Sequence, residues 1–379
     1  MYVYAFLEDF VLLYPVYAVL FADAGLSPAE ISSLFAVWSA TAFALELPSG
    51  LWADVFSRRS LLVTAPLLAG AGFVLWSFFP SFPVFAAGFV LWGAGSALRS
   101  GTMQALVYEE LERVGAAGAY ARVVGRSEAV SLLAVVAASA VASPVLAVGG
   151  YRALGVASAV VCAGCAVAGW FMPEVRRVSA ADGDGPSLGS VVRDGWVQVR
   201  REPAVRWSLV LVVVLEGVTA LDEYVPLVVR STGVAAASVP LLVLVVTVGD
   251  AVGGWLAGRG VRWLAPVLVV GAVCLAAGSL SGRAGGLVLV AVGFGVFRWA
   301  MAAADARLQE RIGDGARATV TSVAGFGAET VAVLVFAGWA LGSRWAGAGV
   351  LMGAAAVPYA VVALVLVVGA RRRRVHREM

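Results

Sequence analysis

The chain has 379 residues, of which 61% are hydrophobic and only 13% are charged. An ordinary soluble globular protein is roughly 45 to 50% apolar and about 25% charged, so this composition excludes that class. The balance of 27 basic and 24 acidic residues gives a small net charge of +3. Its longest basic run, at 371–374, is explained by membrane topology and anionic lipid headgroups, so no nucleic-acid partner is expected.

Apolar runs recur along almost the whole chain, and each is long enough to cross a hydrocarbon core roughly 30 Å thick with about 20 helical residues. They predict an all-α membrane protein with twelve transmembrane helices. The predicted spans are 2–22, 29–50, 61–79, 82–103, 128–148, 152–172, 207–229, 236–257, 264–282, 285–304, 319–341 and 346–369. No basic segment or small-residue cleavage site marks a signal peptide, so the first helix is expected to be retained.

The arginines fix the predicted topology, because positively charged loops stay in the cytoplasm. Of the 27 arginines, 21 fall in one alternate set of loops and tails. Only four fall in the other set, at Arg152, Arg230, Arg283 and Arg344. The distribution predicts a multi-pass protein of the cell membrane, inner or plasma, with the lipid bilayer around it and both termini in the cytoplasm.

A polar stretch at 173–206 divides the spans into an N-terminal six-helix bundle at 1–172 and a C-terminal bundle with its basic tail at 207–379. The first part of this cytoplasmic linker, 180–186, has the composition of a flexible segment. The second part begins at Ser187 as a predicted N-cap and has the pattern of an amphipathic helix lying on the inner membrane surface. A solvated linker helix without lipid contact is the alternative.

Charged residues reveal an internal repeat, with five matched pairs separated by 199 to 208 residues. The pairs are Glu8 with Glu216, Glu46 with Asp250, Arg99 with Arg298, Glu110 with Glu310, and Glu128 with Glu329. Hydrophobic residues recur by chance in any membrane protein, whereas an ordered series of charges does not. We therefore predict two pseudo-symmetric six-helix bundles, the parallel repeat of one large class of secondary transporters.

The loop between the second and third predicted helices reads GLWADVFSRR at 50–59. Its acid can accept N–H bonds at a helix start, and its arginines suit the cytoplasmic surface. With twelve spans and the repeat, this loop resembles the signature G-x-L-A-D-x-x-G-R-R/K of the major facilitator superfamily. Ser57 replaces the second glycine of that signature. A degenerate copy at 254–259 has Gly258 in place of the acid.

The resemblance implies the twelve-helix fold of that superfamily in a monomeric secondary active transporter. It also implies a cytoplasmic gate, in which the loop latches the two halves when the cavity faces outward. The predicted gate residues are Gly50, Asp54, Arg58 and Arg59, and their candidate partners are Glu109, Glu110 and Glu112. Charges that only set topology are the alternative interpretation.

Two further motifs bear on the transport mode that the resemblance implies. Arg99 falls where the helix-four motif R-x-x-Q/L-G of the superfamily places an arginine linked to proton movement, although the motif is incomplete. The glycine-proline motif of antiporter helix five is absent, and the region at 138–144 keeps only small residues and Pro144. The chain is thus similar to drug/proton antiporters in the first motif and differs from them in the second.

An ionisable residue inside a membrane span is costly unless it faces water or a partner, so such residues are functional candidates. The predicted substrate-binding and proton-binding residues are Glu8, Asp9, Glu46, Arg99, Glu128, Glu216, Asp222, Glu223, Asp250, Arg298 and Glu329. They fall on helices 1, 2, 4, 5, 7, 8, 10 and 11, which line the central cavity in the superfamily. Crowded, desolvated carboxyls are expected to exchange protons near neutral pH. A structural role between helices is the alternative for any single acid.

The excess of acids, with aromatic side chains on the same helices, favours a cationic or zwitterionic organic substrate. The aromatic candidates are Tyr14, Trp38, Trp92, Tyr224, Trp299 and Phe326, with lipid or interface packing as the alternative role. We predict proton-coupled export by alternating access, with Glu46, Asp250, Glu8 and Glu216 as the leading carboxylates.

The sequence is also compatible with two other transport functions. They are proton-symport uptake of a zwitterionic nutrient or chelate, and divalent metal-ion transport on carboxylate ligands. No enzyme is expected, because the spans contain no histidine and no recognisable catalytic set. No cofactor beyond protons and no resident metal are expected, and the three cysteines are interpreted as small apolar residues.

Overall fold

The structure is a computed structural model that describes residues 1–55, 57–100, 102–173, 202–260, 263–312 and 317–378. These residues form helices joined by short turns, with no β-strand among them. The linker elements predicted at 180–186 and from Ser187 lie outside the described residues. The all-helical membrane fold predicted from the sequence is confirmed.

Fifteen α-helices follow one another in the described part of the chain. They are α1 (Tyr2–Asp9), α2 (Tyr17–Asp23), α3 (Pro28–Val55), α4 (Arg58–Phe78), α5 (Phe82–Arg99), α6 (Thr102–Arg113), α7 (Tyr120–Trp170), α8 (Pro203–Gly217), α9 (Val225–Ser231), α10 (Val239–Trp255), α11 (Leu264–Leu280), α12 (Leu287–Gln309), α13 (Arg317–Gly342), α14 (Ala348–Ala354) and α15 (Ala356–Glu378). A 3₁₀ segment, Val218–Tyr224, joins α8 to α9.

Nine helical stretches among the described residues are long and apolar enough to cross a membrane. One of them, Ala117–Trp170, has 54 residues and covers two predicted spans, while α11 is a shorter apolar helix of 17 residues. Within α7 the chain turns at Gly150, whose φ of 63° lies in the region that glycine adopts without steric strain. The full count of twelve spans stays a prediction.

One span predicted as a continuous helix is broken, so that prediction was wrong, and another changes helix type along its length. The first, 2–22, ends as a helix at Asp9 and resumes at Tyr17, because Pro15 between them cannot donate a helical hydrogen bond. The seventh, 207–229, passes through the 3₁₀ segment before Pro226 at the start of α9.

Two other predicted spans are also divided. The fourth, 82–103, ends as a helix at Arg99, and the chain resumes helical geometry at Thr102. The twelfth, 346–369, is interrupted at Ala355. The first of these divisions matters for function, because it leaves a charged side chain at the end of a helix rather than within one.

The chain forms two compact units, Met1–Ser179 with Ala235–Leu244, and Ala180–Val234 with Val245–Met379. In the first unit, α4 packs against α5 and α7, α3 packs against α5, and α1 packs against α7. Aromatic rings fill its interior: Trp76 lies 5.1 Å from Phe21 and 4.7 Å from Phe89 between ring centroids. The Trp76 indole also donates to the Phe85 carbonyl at 3.0 Å, which fixes the ring.

In the second unit, α11 packs against α12 and α15, and α8 packs against α12 and α13. Helices α10 and α12 approach so closely that a Cβ added to Gly253 would lie 1.9 Å from the Gly295 carbonyl oxygen. Small residues permit such backbone contact between membrane helices. Asp250 and Arg298 each lie three residues from one of these glycines, so the close crossing brings their side chains together.

Candidate functional site

Two acids stand at the break in the first span. Glu8 and Asp9 occupy the last turn of α1, and the unwound backbone follows directly. The Leu13 N–H, which lacks a helical partner there, donates to the Ser158 hydroxyl of α7 at 3.2 Å. Non-helical backbone at membrane depth is tolerated only where protein or water satisfies it. The break is therefore supported by the protein and holds the two carboxyls in a defined place.

Glu8 forms an ion pair with Arg99, whose Nε donates to the carboxylate. Arg99 is the last residue of α5, so the pair joins the ends of two interrupted helices. The Glu8 side chain is 24% exposed and that of Arg99 is 41% exposed, so neither is sealed inside the unit. An ion pair that is not sealed inside protein can be broken by protonation of its acid.

Two further predicted residues lie beside this pair. The Ser131 hydroxyl hydrogen-bonds the Asp9 carboxylate, which also interacts electrostatically with Arg99 and Glu128. Glu128, on α7, is exposed and interacts with Glu8 as well. The structure thus brings together four residues that the sequence nominated separately, three acids and one arginine, in the first unit.

A cavity of about 40 Å³ adjoins the Glu8–Arg99 pair inside the first unit. Tyr14 and Trp92 line it and stack on each other with ring centroids 5.2 Å apart. Trp38 packs against Trp92 at 5.4 Å, one layer further from the cavity wall. Of the six aromatic candidates, Tyr14 and Trp92 therefore stand next to the charged pair.

In the second unit, the intramembrane arginine Arg298 pairs with an acid that is not the counterpart of Glu8. Arg298 Nε lies 3.5 Å from Asp250 Oδ2, which joins α12 to α10. Asp222, on the 3₁₀ segment, interacts electrostatically with both charges. Tyr359 of α15 interacts with Asp222 and Asp250, although the sequence placed no site residue on the twelfth span. An uncharged tyrosine gives no signal in a search for intramembrane charge.

Another acid of the second unit, Glu216, lies near two further acids. Glu216 of α8 interacts electrostatically with Asp305 of α12 and Glu329 of α13. Asp305 was missed from the sequence because the tenth span was predicted to end at residue 304, one position too early. It lies seven residues after Arg298, two helical turns along the same helix. That spacing from a known candidate is the signal that could have found it.

The remaining aromatic candidates are distributed differently. Tyr224 is buried and stacks on Trp339 at 3.9 Å, and Trp299 is buried with its indole donating to the Arg259 carbonyl at 2.9 Å. These two rings pack inside the second unit. Phe326 is 57% exposed. Glu223 follows Asp222 on the 3₁₀ segment and is half-buried.

Three predicted residues have side chains outside the described part of the structure. Glu46, Gly50 and Asp54 all belong to α3, whose backbone is helical through Val55. Their roles as a cavity carboxylate and as gate residues therefore stay predictions.

The amino-acid sequence matches one known protein family over most of its length. Residues 2–337 match the family model of the Major Facilitator Superfamily. The chain belongs to the major facilitator superfamily. The match confirms the resemblance seen in the sequence, and it identifies the chain as a transporter rather than an enzyme in general terms, because that is what the superfamily comprises. No curated protein matches the chain by sequence.

Solved transporters share the fold of this superfamily member at low sequence identity. The nucleoside transporter NupG aligns with a TM-score of 0.74 and 11% identity over 96% of both chains. A bacterial homologue of the human lysosomal transporter Spinster, in an inward-facing and unoccupied conformation, gives 0.70 and 16% over 96% of this chain and 93% of its own. A D-xylose-proton symporter gives 0.63 and 17% over 96% and 94%. These likenesses show the fold alone.

The superfamily's signature loop has a local structural role in the first unit. Arg58 forms an ion pair with Glu109, which ties α4 to α6. Arg59 lies over the Trp170 ring with its guanidinium 5.3 Å from the centroid. Ser57, which replaces the signature glycine, caps α4 by accepting the Ser60 N–H at 3.2 Å.

The candidate latch partners have separate contacts. Glu110 pairs with Arg113, one turn along α6, at 2.7 Å, so that acid is engaged within its own helix. The Arg58–Glu109 pair lies wholly within the first unit, so it does not itself join the two halves. The latch between halves stays a prediction.

Within the described ranges, no group of three or more His, Cys, Asp or Glu side chains is arranged to hold a metal ion. Glu216 and the two acids that interact with it do not form such a group. Divalent metal transport therefore finds no preformed ligand set in that part of the chain.

Proposed function

We propose that this superfamily member exports a cationic or zwitterionic small organic molecule in exchange for protons, by alternating access. The observation that supports this function is the Glu8–Arg99 ion pair at the ends of α1 and α5. A carboxylate at a helix break, paired with an arginine and not sealed inside protein, can change its charge without unfolding the bundle. Such residues in membrane spans are typical of proton relays.

Protonation would act through that pair. When Glu8 is ionised, it holds Arg99 and joins α1 to α5. When Glu8 takes up a proton it becomes neutral, and the electrostatic attraction to Arg99 is lost. The end of α5 is then free to move away from α1. A proton bound from outside and released inside would thus drive the conformational cycle.

The second unit supports the choice of substrate. Glu216, Asp305 and Glu329 place three interacting carboxylates on three different helices. Like charges repel, and a bound organic cation would relieve that repulsion. For a zwitterion, Arg298 is the candidate partner of the carboxylate, because its pairing distance of 3.5 Å to Asp250 is loose.

The proposed setting is the cell membrane, with a monomer surrounded by lipid and both termini in the cytoplasm. Protons are the coupling ion, and no other cofactor is required. In this proposal Asp54, Arg58 and Arg59 close the cytoplasmic side when the cavity faces outward.

A two-step experiment tests function and direction together. A thermal-shift screen of purified protein against cationic, zwitterionic and anionic compounds at two pH values would identify a ligand, and cations or zwitterions are expected to stabilise most. The ligand is then offered to proteoliposomes. Exchange predicts accumulation when the lumen is acidic, whereas symport predicts accumulation when the outside is acidic. Accumulation driven from the acidic outside would overturn export and establish the uptake alternative.

The carboxylate assignment has its own test. Glu46→Gln and Asp250→Asn should each impair proton-driven accumulation, because the repeat places the two residues in matched positions. Glu30→Gln is the matched control: Glu30 caps α3 by accepting the Ser27 N–H at 2.8 Å, and glutamine can serve the same capping box. If both cavity variants accumulate substrate like this control, the assignment of these two carboxylates is wrong.

A further inference from the structure

The cavity beside Glu8 and Arg99 is partly open, and the residues that line it all belong to the first unit. Its walls come from α1, α4, α5 and the second leg of α7, after the turn at Gly150. Its lining includes the charged side chains of Glu8 and Arg99, the hydroxyls of Tyr4, Tyr14 and Ser96, the Trp92 indole, and the thiols of Cys162 and Cys165. The remaining lining is apolar or small, and includes Ala69.

The size and chemistry of this cavity suit water. A cavity of about 40 Å³ has room for roughly three water molecules, since one needs about 10 to 15 Å³ of this kind of volume. Buried cavities stay dry when their walls are apolar, and they hold water when two to four polar partners are within reach. Here a carboxylate, a guanidinium and three hydroxyl-bearing side chains line the space.

An unusual hydrogen bond fixes one wall of the cavity, to which Tyr4 and Pro66 belong. Pro66 cannot donate to the carbonyl of Leu62, four residues before it in α4. The Tyr4 hydroxyl donates to that carbonyl instead, at 3.0 Å, and Tyr4 is only 1% exposed. The Cys165 thiol donates in turn to the Tyr4 carbonyl at 3.6 Å. These bonds fix α1 against α4 and α7, so the space beside Glu8 is not closed by a shift of α1.

We propose that this cavity is a water site that solvates the Glu8 carboxylate and exchanges its proton. The cluster of about three waters takes over the hydrogen bonds of Glu8 when Arg99 leaves it. This inference rests on the proposed function in one respect, that Glu8 is the residue whose protonation drives transport. The hydration of the cavity can be measured without any transport assay.

The two native thiols report on water in the cavity. Cys162 and Cys165 lie one helical turn apart on α7, and both are electrostatically close to Glu8. Replacement of the third cysteine, by Cys274→Ser in the second unit, leaves them as the only thiols in the chain. The probe is Ag⁺, a soft cation that binds thiols and travels through water. Bound Ag⁺ is read by mass spectrometry as thiols protected from N-ethylmaleimide after unfolding.

A filling variant and its matched control complete the test. Ala69→Leu fills the cavity, whereas Ala71→Leu adds the same atoms to an exposed position on the same helix. In the Cys274→Ser background we expect Ag⁺ to protect the thiols, Ala69→Leu to abolish that protection, and Ala71→Leu to preserve it. Ala69→Val serves as a milder filling variant with an intermediate effect.

Transport then tests the role of the water. Ala69→Leu should slow proton-driven accumulation by about tenfold or more, because Glu8 loses its proton-exchange partner, and Ala71→Leu should leave it unchanged. Thiols that stay reactive towards N-ethylmaleimide after Ag⁺ treatment would overturn the proposal, as would full proton-driven transport in Ala69→Leu. A failure of the proposed function is distinguishable, since it would show as intact proton coupling in Glu8→Gln.

Discussion

Arg99 and Arg298 occupy matching positions in the sequence repeat, but they pair with acids at different positions of that repeat. In the first unit, Arg99 pairs with Glu8 on α1. In the second, Arg298 lies near Asp250 on α10, while Glu216, the counterpart of Glu8, interacts with other acids. A repeat in sequence thus conserves where charges are placed along the chain. It does not conserve which charges meet, because the local helix breaks differ.

The helix ends explain this difference between the units. The first unit unwinds completely after α1 and ends α5 at Arg99, so two charged helix ends can meet. The second unit keeps a 3₁₀ segment after α8, and Arg298 lies well inside α12. Arg298 therefore reaches the neighbouring helix that crosses most closely, which is α10. In the proposed function, the first unit therefore supplies the charge switch, and the second supplies the interacting acids.

The largest expected change in the free energy of unfolding comes from replacing the paired arginines, Arg99 and Arg298. Arg99→Gln should lower the free energy of unfolding by about 2 kcal/mol, below the 3–5 kcal/mol of a fully buried pair because both partners are partly exposed. Arg298→Gln should cost about 1 kcal/mol, because its pair is longer and its side chains are 47% and 39% exposed. Denaturation in mixed micelles measures both. Equal losses would contradict the proposed contrast between the two pairs.

A smaller effect is expected at the signature loop of the first unit. Ser57 accepts the Ser60 N–H, so Ser57→Ala should lower the free energy of unfolding by about 1 kcal/mol. Ser57→Gly should cost only a few tenths of a kcal/mol, as glycine is a tolerated N-cap. Ranking the two variants by thermal melting tests whether serine replaces the signature glycine as a cap. A glycine variant less stable than the alanine variant would refute this role.

The smallest expected effect is on the free energy of unfolding when a single acid is neutralised, and its sign should differ between the two units. Asp305→Asn should raise the free energy of unfolding by about 0.5 kcal/mol at neutral pH, because it removes repulsion from Glu216. Glu109→Gln should lower it by a similar amount, because the Glu109 carboxylate forms an ion pair with Arg58 in the first unit. In acid the gain from Asp305→Asn should disappear, since protonated carboxyls no longer repel. Changes of the same sign in both variants would show that the local environments do not differ as described.

The sequence predicts the membrane fold and the placement of charge well. Apolar runs of about 20 residues and the 199 to 208 residue repeat depend only on composition and order, so they are readable without a structure. The breaks are harder to predict, because membrane helices often tolerate proline without interruption. Pro15 and Pro226 could each have marked only a kink.

The sequence could not predict which charged residues form ion pairs, because that depends on where each helix ends and how it is rotated. Arg99 meets Glu8 only because α5 stops at that residue. Asp305 was lost through an error of one residue in a span boundary. Tyr4 and Tyr359 are uncharged, and only packing places them beside the charged groups.

The most direct test separates exchange from proton-driven accumulation in Glu8→Gln. The variant keeps the shape of the side chain but cannot change its charge. In proteoliposomes holding the identified substrate, it should exchange internal for external substrate at near the wild-type rate while failing to accumulate substrate in response to an acidic lumen. Glu30→Gln should do both. Full proton-driven accumulation by Glu8→Gln would show that the Glu8–Arg99 pair is not the coupling site.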